Sequence, residues 1–175
     1  TVSAPRILDL GEAVGPNLDY FAERSARLHV VALYSALQSH PAGPERLDAL
    51  SAQVFADLLP VTGEGSFDVI LLWDLFNYLS RPQIRALGQQ LTRLSHPGTR
   101  ALAMISNRAQ VPAAPVPFKI VDERRLLYPM SAAQKRTNPR WPPGEVQQAM
   151  KGFLVDRSFL LRHGIQEFLF IRDEG

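Results

Sequence analysis

The chain contains no cysteine among its 175 residues. Disulfides and thiolate metal sites are therefore excluded, and the composition fits a reducing compartment such as the cytoplasm. No apolar run approaches the roughly 20 residues that span a bilayer. The N-terminus lacks the basic-then-apolar order of a secretory signal, so no membrane association is expected. Charge of one sign is also scarce: the formal net charge is +2, and 21% of residues are charged. That balance leaves no global nucleic-acid footprint, despite a sequence pI near 9.2. The histidines, at 29, 40, 96 and 163, are scattered and lack zinc-site spacing, so no metal is expected. Gly-x-Ser-x-Gly is missing, and no Ser/His/Asp arrangement can be inferred.

What the chain does contain is a 46% hydrophobic composition, enough for one globular domain with a real core. Strand-like and helix-like segments alternate. Arg6 to Leu10 reads as a short buried strand, and Pro16 to Ala26 as a helix opened by its proline. Leu28 to Tyr34 is β-rich. Pro44 to about Ser51 is helical and extends to Leu59 unless Gln53-Val54-Phe55 forms a short strand ending at Asp57. Phe67 to Trp73 is a near-continuous apolar run, as in a strand buried on both faces. Arg81 to Leu94 carries Ile84, Leu87, Leu91 and Leu94 on one helical face, and Arg100 to Ile105 is the next strand. The alternation predicts an α/β fold, a doubly wound and mostly parallel sheet with helices on both faces.

The pattern breaks after Asn107. Residues 108–143 hold seven prolines and seven Lys or Arg against two acids. A long insertion after a sheet strand is a candidate lid or binding loop, and equally a surface excursion. Glu145 to Met150 is a short helix. Phe153 to Leu161 and Ile165 to Arg172 then predict an antiparallel hairpin that closes the sheet.

The densest signal is the βα turn Leu8-Asp9-Leu10-Gly11-Glu12-Ala13-Val14-Gly15-Pro16. Glycines at this spacing let a nucleotide-like ligand approach the backbone. Pro16 stands where a dinucleotide fingerprint needs a third small residue, which argues against a nicotinamide cofactor. Together with Gly65-Ser66-Phe67-Asp68-Val69-Ile70, with Leu94-Ser95-His96-Pro97-Gly98 and with the closing hairpin, this turn resembles class I, Rossmann-like S-adenosylmethionine (SAM)-dependent methyltransferases. The resemblance covers nearly the whole chain, as a single methyltransferase-like domain over 1–175 with a Pro-rich basic insertion at 108–143.

The resemblance implies SAM as cofactor, bound through Asp9, Gly11, Glu12, Ala13 and Gly15. Ala13 replaces the middle glycine of the family run. Tyr34 takes the place of the acid that holds the ribose hydroxyls at the end of the second strand, and Asp57 that of the acid that bonds the adenine amino group. Trp73 and Asp74 flank the methyl-bearing part of the cofactor. Asn77 and Tyr78, with Arg124 and Arg125 of the insertion, are candidate acceptor-binding residues. No catalytic residue is assigned. An Asn-Pro-Pro-Tyr motif and a cysteine nucleophile are both absent, which removes the usual signatures of base amino methylation and carbon-5 pyrimidine chemistry.

Two functions follow. One is methyl transfer to an unidentified small-molecule or protein acceptor. The other is a catalytically degenerate methyltransferase-like module that binds a protein partner or itself, a reading supported by Ala13 and Tyr34. The basic insertion leaves an acidic substrate or RNA as further partners.

Overall fold

The computed structural model describes residues 4–59, 67–128 and 134–174. One sheet organises them. Its strands are β1 (Arg6–Asp9), β2 (Arg27–Val30), β3 (Phe67–Trp73), β4 (Ser95–Ser106), β9 (Phe153–Leu161) and β10 (Ile165–Arg172), in the spatial order β2-β1-β3-β4-β10-β9. The first four are parallel; β10 is antiparallel to β4 and to β9. This is the Rossmann-like sheet with an antiparallel closing hairpin that the sequence predicts. Gly65 and Ser66 of the second motif lie outside the described residues.

The helices are α1 (Gly15–Glu23), α2 (Leu33–Gln38), α3 (Pro44–Leu58), α4 (Arg81–Arg93) and α5 (Pro143–Ala149). α4 forms where it does because its start is doubly capped: the Ser80 hydroxyl accepts from the Gln83 amide while the Gln83 side chain accepts from the Ser80 amide. Ile84, Leu87 and Leu91 then recur on one buried face, each contributing roughly 1.5–3 kcal/mol of burial. α4 packs against α5 at Gly88, where an added Cβ would stand 2.5 Å from the Ala149 carbonyl oxygen. That neighbour is backbone and retreats only if α5 moves. Gly88→Ala is therefore expected to destabilise the fold by about 1–3 kcal/mol, read as a lower urea midpoint with an unchanged slope.

Strand alternation divides the core into two faces. Leu8, Ile70 and Leu72 join the main core beneath α3, α4 and α5, whereas Ile7, Leu71 and Trp73 face the opposite side with Met104 and Phe118. Phe118 belongs to the insertion, so this second face is completed by a residue far away in sequence.

The β reading of Leu28 to Tyr34 holds only as far as Val30, and of the two alternatives for Gln53-Val54-Phe55 the helix is the one that forms. Tyr34 lies in α2, because β2 ends at Val30, opposite Asp9 in the register of β1. Gln53-Val54-Phe55 lies inside α3, where Leu47, Ser51, Val54 and Phe55 share a buried face at helical spacing. The insertion contributes two small ladders, β5 (Gln110–Pro112) with β8 (Lys135–Thr137) and β6 (Lys119–Asp122) with β7 (Arg125–Leu127). Among the described residues, no helix is long and apolar enough to cross a membrane, and no cluster of three or more His, Asp or Glu could hold a metal.

Candidate active site

β1 connects outward to β2 on one side, and β3 connects outward to β4 on the other. The crevice at the carboxyl ends of β1 and β3 is thus the point where the winding reverses, where open α/β sheets bind ligands. A cleft of about 290 Å³ opens there, lined by Gly11, Glu12, Tyr34, Ser35, Trp73 and Asp74 and roofed by insertion residues 114–118. Its size is at the lower edge of the roughly 300–1,000 Å³ typical of small-molecule sites.

The cleft is built around Asp9, only 2% exposed. Its Oδ1 accepts from the Gly11 amide at 2.9 Å and from the Trp73 indole Nε1 at 2.7 Å. Burial raises the Asp9 pKa above the usual carboxylate range, while these two hydrogen bonds hold it down. Trp73 has a left-handed backbone, φ 49°. For a bulky residue this is uncommon and costs on the order of 1–3 kcal/mol. The conformation lets the last residue of β3 lay its indole across the β1 turn. There it stacks on Phe118, with ring centres 5.4 Å apart and planes 9° from parallel.

The roof is tied down on both sides. Asn17, buried in the first turn of α1, donates its side-chain amide to the Phe118 carbonyl at 2.8 Å and accepts from the Ile120 amide at 2.7 Å. The Tyr78 hydroxyl donates to the Ala114 carbonyl at 3.1 Å. Trp141 donates its indole N–H to the Phe76 carbonyl at 2.6 Å. These contacts pack the insertion against the cleft.

Asp74 follows β3 and is 8% exposed. Burial pushes its carboxyl up to about 7, against the backbone amides of Asp74 and Val116 and the Tyr78 side chain, which hold it down. Tyr78 in turn is raised by burial and by the nearby Asp74 and Tyr34. A second cavity, of about 80 Å³, lies beyond Asp74 and shares Asp74, Val116 and Phe118 with the cleft. Asp74 therefore stands at the junction of two compartments.

The remaining predicted site residues divide. Glu12 lines the cleft and accepts a hydrogen bond from the Ser35 hydroxyl. Tyr34 lines the cleft too, edge-on to Tyr78 at 5.5 Å. Asn77 and Tyr78 line the second cavity, and Asn77 also accepts from the Ser106 amide at 3.0 Å. Asp9 supports the cleft from behind its lining, and Ala13 and Gly15 are exposed outside that lining. Asp57 does not sit beyond a strand: it is exposed on α3 and accepts from Gln53 at 2.8 Å, away from the cleft lining. Arg124 and Arg125 flank the tip of the β6–β7 hairpin, with Arg125 paired to Asp122, and neither lines a cavity at the site. Asn17, Phe118 and Ser35 were missed by the sequence reading. Asn17 is the buried residue of α1, and its role rests on contacts with the distant insertion rather than on a local pattern.

No family model matches the chain, and no curated protein matches it by sequence. Solved structures do match. A SAM-dependent methyltransferase of Mesorhizobium loti is similar at 15% identity and TM-score 0.57, covering 98% of this chain and 92% of its own. The 1,6-didemethyltoxoflavin-N1-methyltransferase of Burkholderia thailandensis, solved with its ligand and S-adenosylhomocysteine, is similar at 18% identity and TM-score 0.55, covering 97% and 72%. The CcbJ methyltransferase of Streptomyces caelestis is similar at 12% identity and TM-score 0.54, covering 98% and 89%. At these identities the likeness establishes the fold, which is that of the Rossmann-like SAM-dependent methyltransferases.

Proposed function

We propose that this chain is a SAM-dependent methyltransferase that holds its cofactor in the Gly11 cleft and its acceptor in the cavity beyond Asp74. The observation that carries the reading is Asp74: a buried carboxyl with a pKa of about 7, placed between the two compartments. A general base works best with a pKa near the operating pH.

The cleft fits the cofactor's chemistry. An added Cβ on Gly11 would come within 2.7 Å of Trp73 Cδ1, so the close approach of backbone and indole requires glycine. Glu12 and Ser35 supply a polar edge for a ribose diol or an ammonium group. Tyr34, Val14 and Val116 offer apolar walls. When bound, SAM supplies a methyl on a sulfonium centre, and transfer forms a carbon–heteroatom bond to the acceptor as the carbon–sulfur electron pair returns to sulfur. The chain's own part is to order the acceptor, exclude water beneath the 114–118 roof, and take the acceptor's proton on the Asp74 carboxylate.

Calorimetric titration with SAM and S-adenosylhomocysteine tests the first step. One-to-one binding of both is expected. The competing reading, a methyltransferase-like binding module without catalysis, is favoured by the absence of a carboxylate at the end of β2; no heat at high protein concentration would remove the enzyme reading. A methyl-release assay with cell extract then asks for the acceptor.

A further inference from the structure

The cavity beyond Asp74 has a chemistry of its own. Its floor is buried: Asp74, Met104 and Ser106. Its mouth carries the exposed cations Arg108 and Lys135, with His163 beside them. Among the described residues, Asp74 is the only acid in the lining. Neither Arg108 nor Lys135 makes an ion pair among the described residues.

Both cations are placed by the backbone. The Arg108 amide donates to the Ser106 hydroxyl at 3.2 Å, and its carbonyl accepts from the Asn138 side chain at 2.8 Å. Asn138 also holds the Ser106 carbonyl at 2.7 Å, closing the insertion at its base. Lys135 stands opposite Pro112 in the β5–β8 ladder. The positive charge of Arg108 reaches the half-buried Tyr128 hydroxyl, lowering a pKa that burial raises. One wall is aromatic: Phe118 and Tyr128 line it, stacked with ring centres 5.2 Å apart, and Phe118 also stacks on Trp73.

Resting on the methyl-transfer reading, we infer that this cavity takes a small planar acceptor that carries an anionic group, with its nucleophilic N–H or O–H toward Asp74 and its anion toward Arg108 and Lys135. Two cations at the mouth of a cavity whose acid lies on the buried floor favour an anion at the entrance, and hydrogen bonds between two ionised groups are the strong ones. A stacked aromatic wall favours a conjugated ring over a bulky aliphatic one. A cationic acceptor would meet like charge at the entrance and is disfavoured.

The test is calorimetry with 4-hydroxybenzoate, 4-hydroxybenzamide and 4-hydroxybenzylamine as probes, in the presence and absence of S-adenosylhomocysteine. The acid is expected to bind about 10-fold or more tightly than the amide, and the amine most weakly. In an Arg108→Gln/Lys135→Gln double variant the preference for the acid disappears, while S-adenosylhomocysteine binds as before. Equal binding of the three probes, a preference for the amine, no binding of any probe, or an acid preference that survives the double variant overturns the inference. If S-adenosylhomocysteine fails to bind while the acid preference persists and depends on the two cations, the anion site stands and methyl transfer falls. If S-adenosylhomocysteine binds and the acid is not preferred, the anion site falls alone.

Discussion

Asp74→Asn is expected to make the protein inactive and, above neutral pH, more stable. The two effects share one cause. Burial lifts the Asp74 carboxyl from 3.8 to about 7. Below about pH 4 the folded and unfolded chains both hold this proton, and the site costs nothing. From there to about pH 7 the unfolded chain ionises while the folded chain keeps its proton, so the free energy of unfolding falls as pH rises. Above pH 7 the full cost is present, on the order of 4 kcal/mol. Asparagine cannot ionise, and its side-chain oxygen still accepts from the backbone. The variant should lose most of the wild-type decline in stability between pH 4 and 7 and unfold at higher temperature at pH 8. Asp9, whose pKa burial also raises, leaves a smaller slope of the same sign. Methyl transfer should fall by roughly 10²–10⁴-fold, the usual weight of a general base. The wild-type rate should climb through pH 7 to a plateau that the variant lacks. A variant with wild-type activity, or with an unchanged stability profile, would contradict the assignment.

That residue was visible in the sequence as an acid at the end of the strongest strand, but its role was not. Burial sets its pKa, and Val116, whose amide bonds the carboxyl, and Phe118, which lines the same cleft, lie some 40 residues further on in the insertion. The latch that folds it back is no more local: Asn17 reaches Phe118 and Ile120 across separations of 101 and 103 residues. The parallel strands and α4 were legible because their signals are local, a near-continuous apolar run in one case and Ile84, Leu87, Leu91 and Leu94 at helical spacing in the other. Tyr34 shows how a local signal fails. Val30 to Tyr34 has β propensity, but β1 ends at Asp9, and beyond the Val31 amide's bond to the Asp9 carbonyl at 2.7 Å there is no strand left to pair with. The chain turns into α2 instead. For Gln53-Val54-Phe55 the choice between helix and strand is one of scale: a helical periodicity that runs from Leu47 to Phe55 outweighs three residues, and the helix forms. The resemblance thus located the cleft through its first turn, while two of its carry-over positions, Tyr34 and Asp57, landed on helices.

Gly11→Ala should cost more than any other small-residue change in that turn, because the methyl meets a wall that cannot yield. Its Cβ would lie 2.7 Å from Trp73 Cδ1, 3.0 Å from Nε1 and 3.2 Å from Asp9 Oδ1. The indole is pinned on one side by the Phe118 stack and on the other by its bond to Asp9. To make room it must leave Asp9, a buried carboxylate then left with the Gly11 amide alone. Overpacking together with that lost charge-assisted bond amounts to about 2–4 kcal/mol, and the displaced ring closes the cleft against S-adenosylhomocysteine. Gly15→Ala is the control: nothing lies within 4 Å of its Cβ, and in the first turn of α1 alanine should be neutral or stabilising by up to ~1 kcal/mol. Loss of stability in Gly11→Ala follows from any crowded glycine, so the discriminating measurement is a double-mutant cycle. In a Trp73→Ala background the crowding atoms are gone, and the added methyl should cost less than about 1 kcal/mol. If the two substitutions instead add, the indole is not what the glycine makes room for, and the cleft is shaped by something other than the Trp73–Asp9 contact.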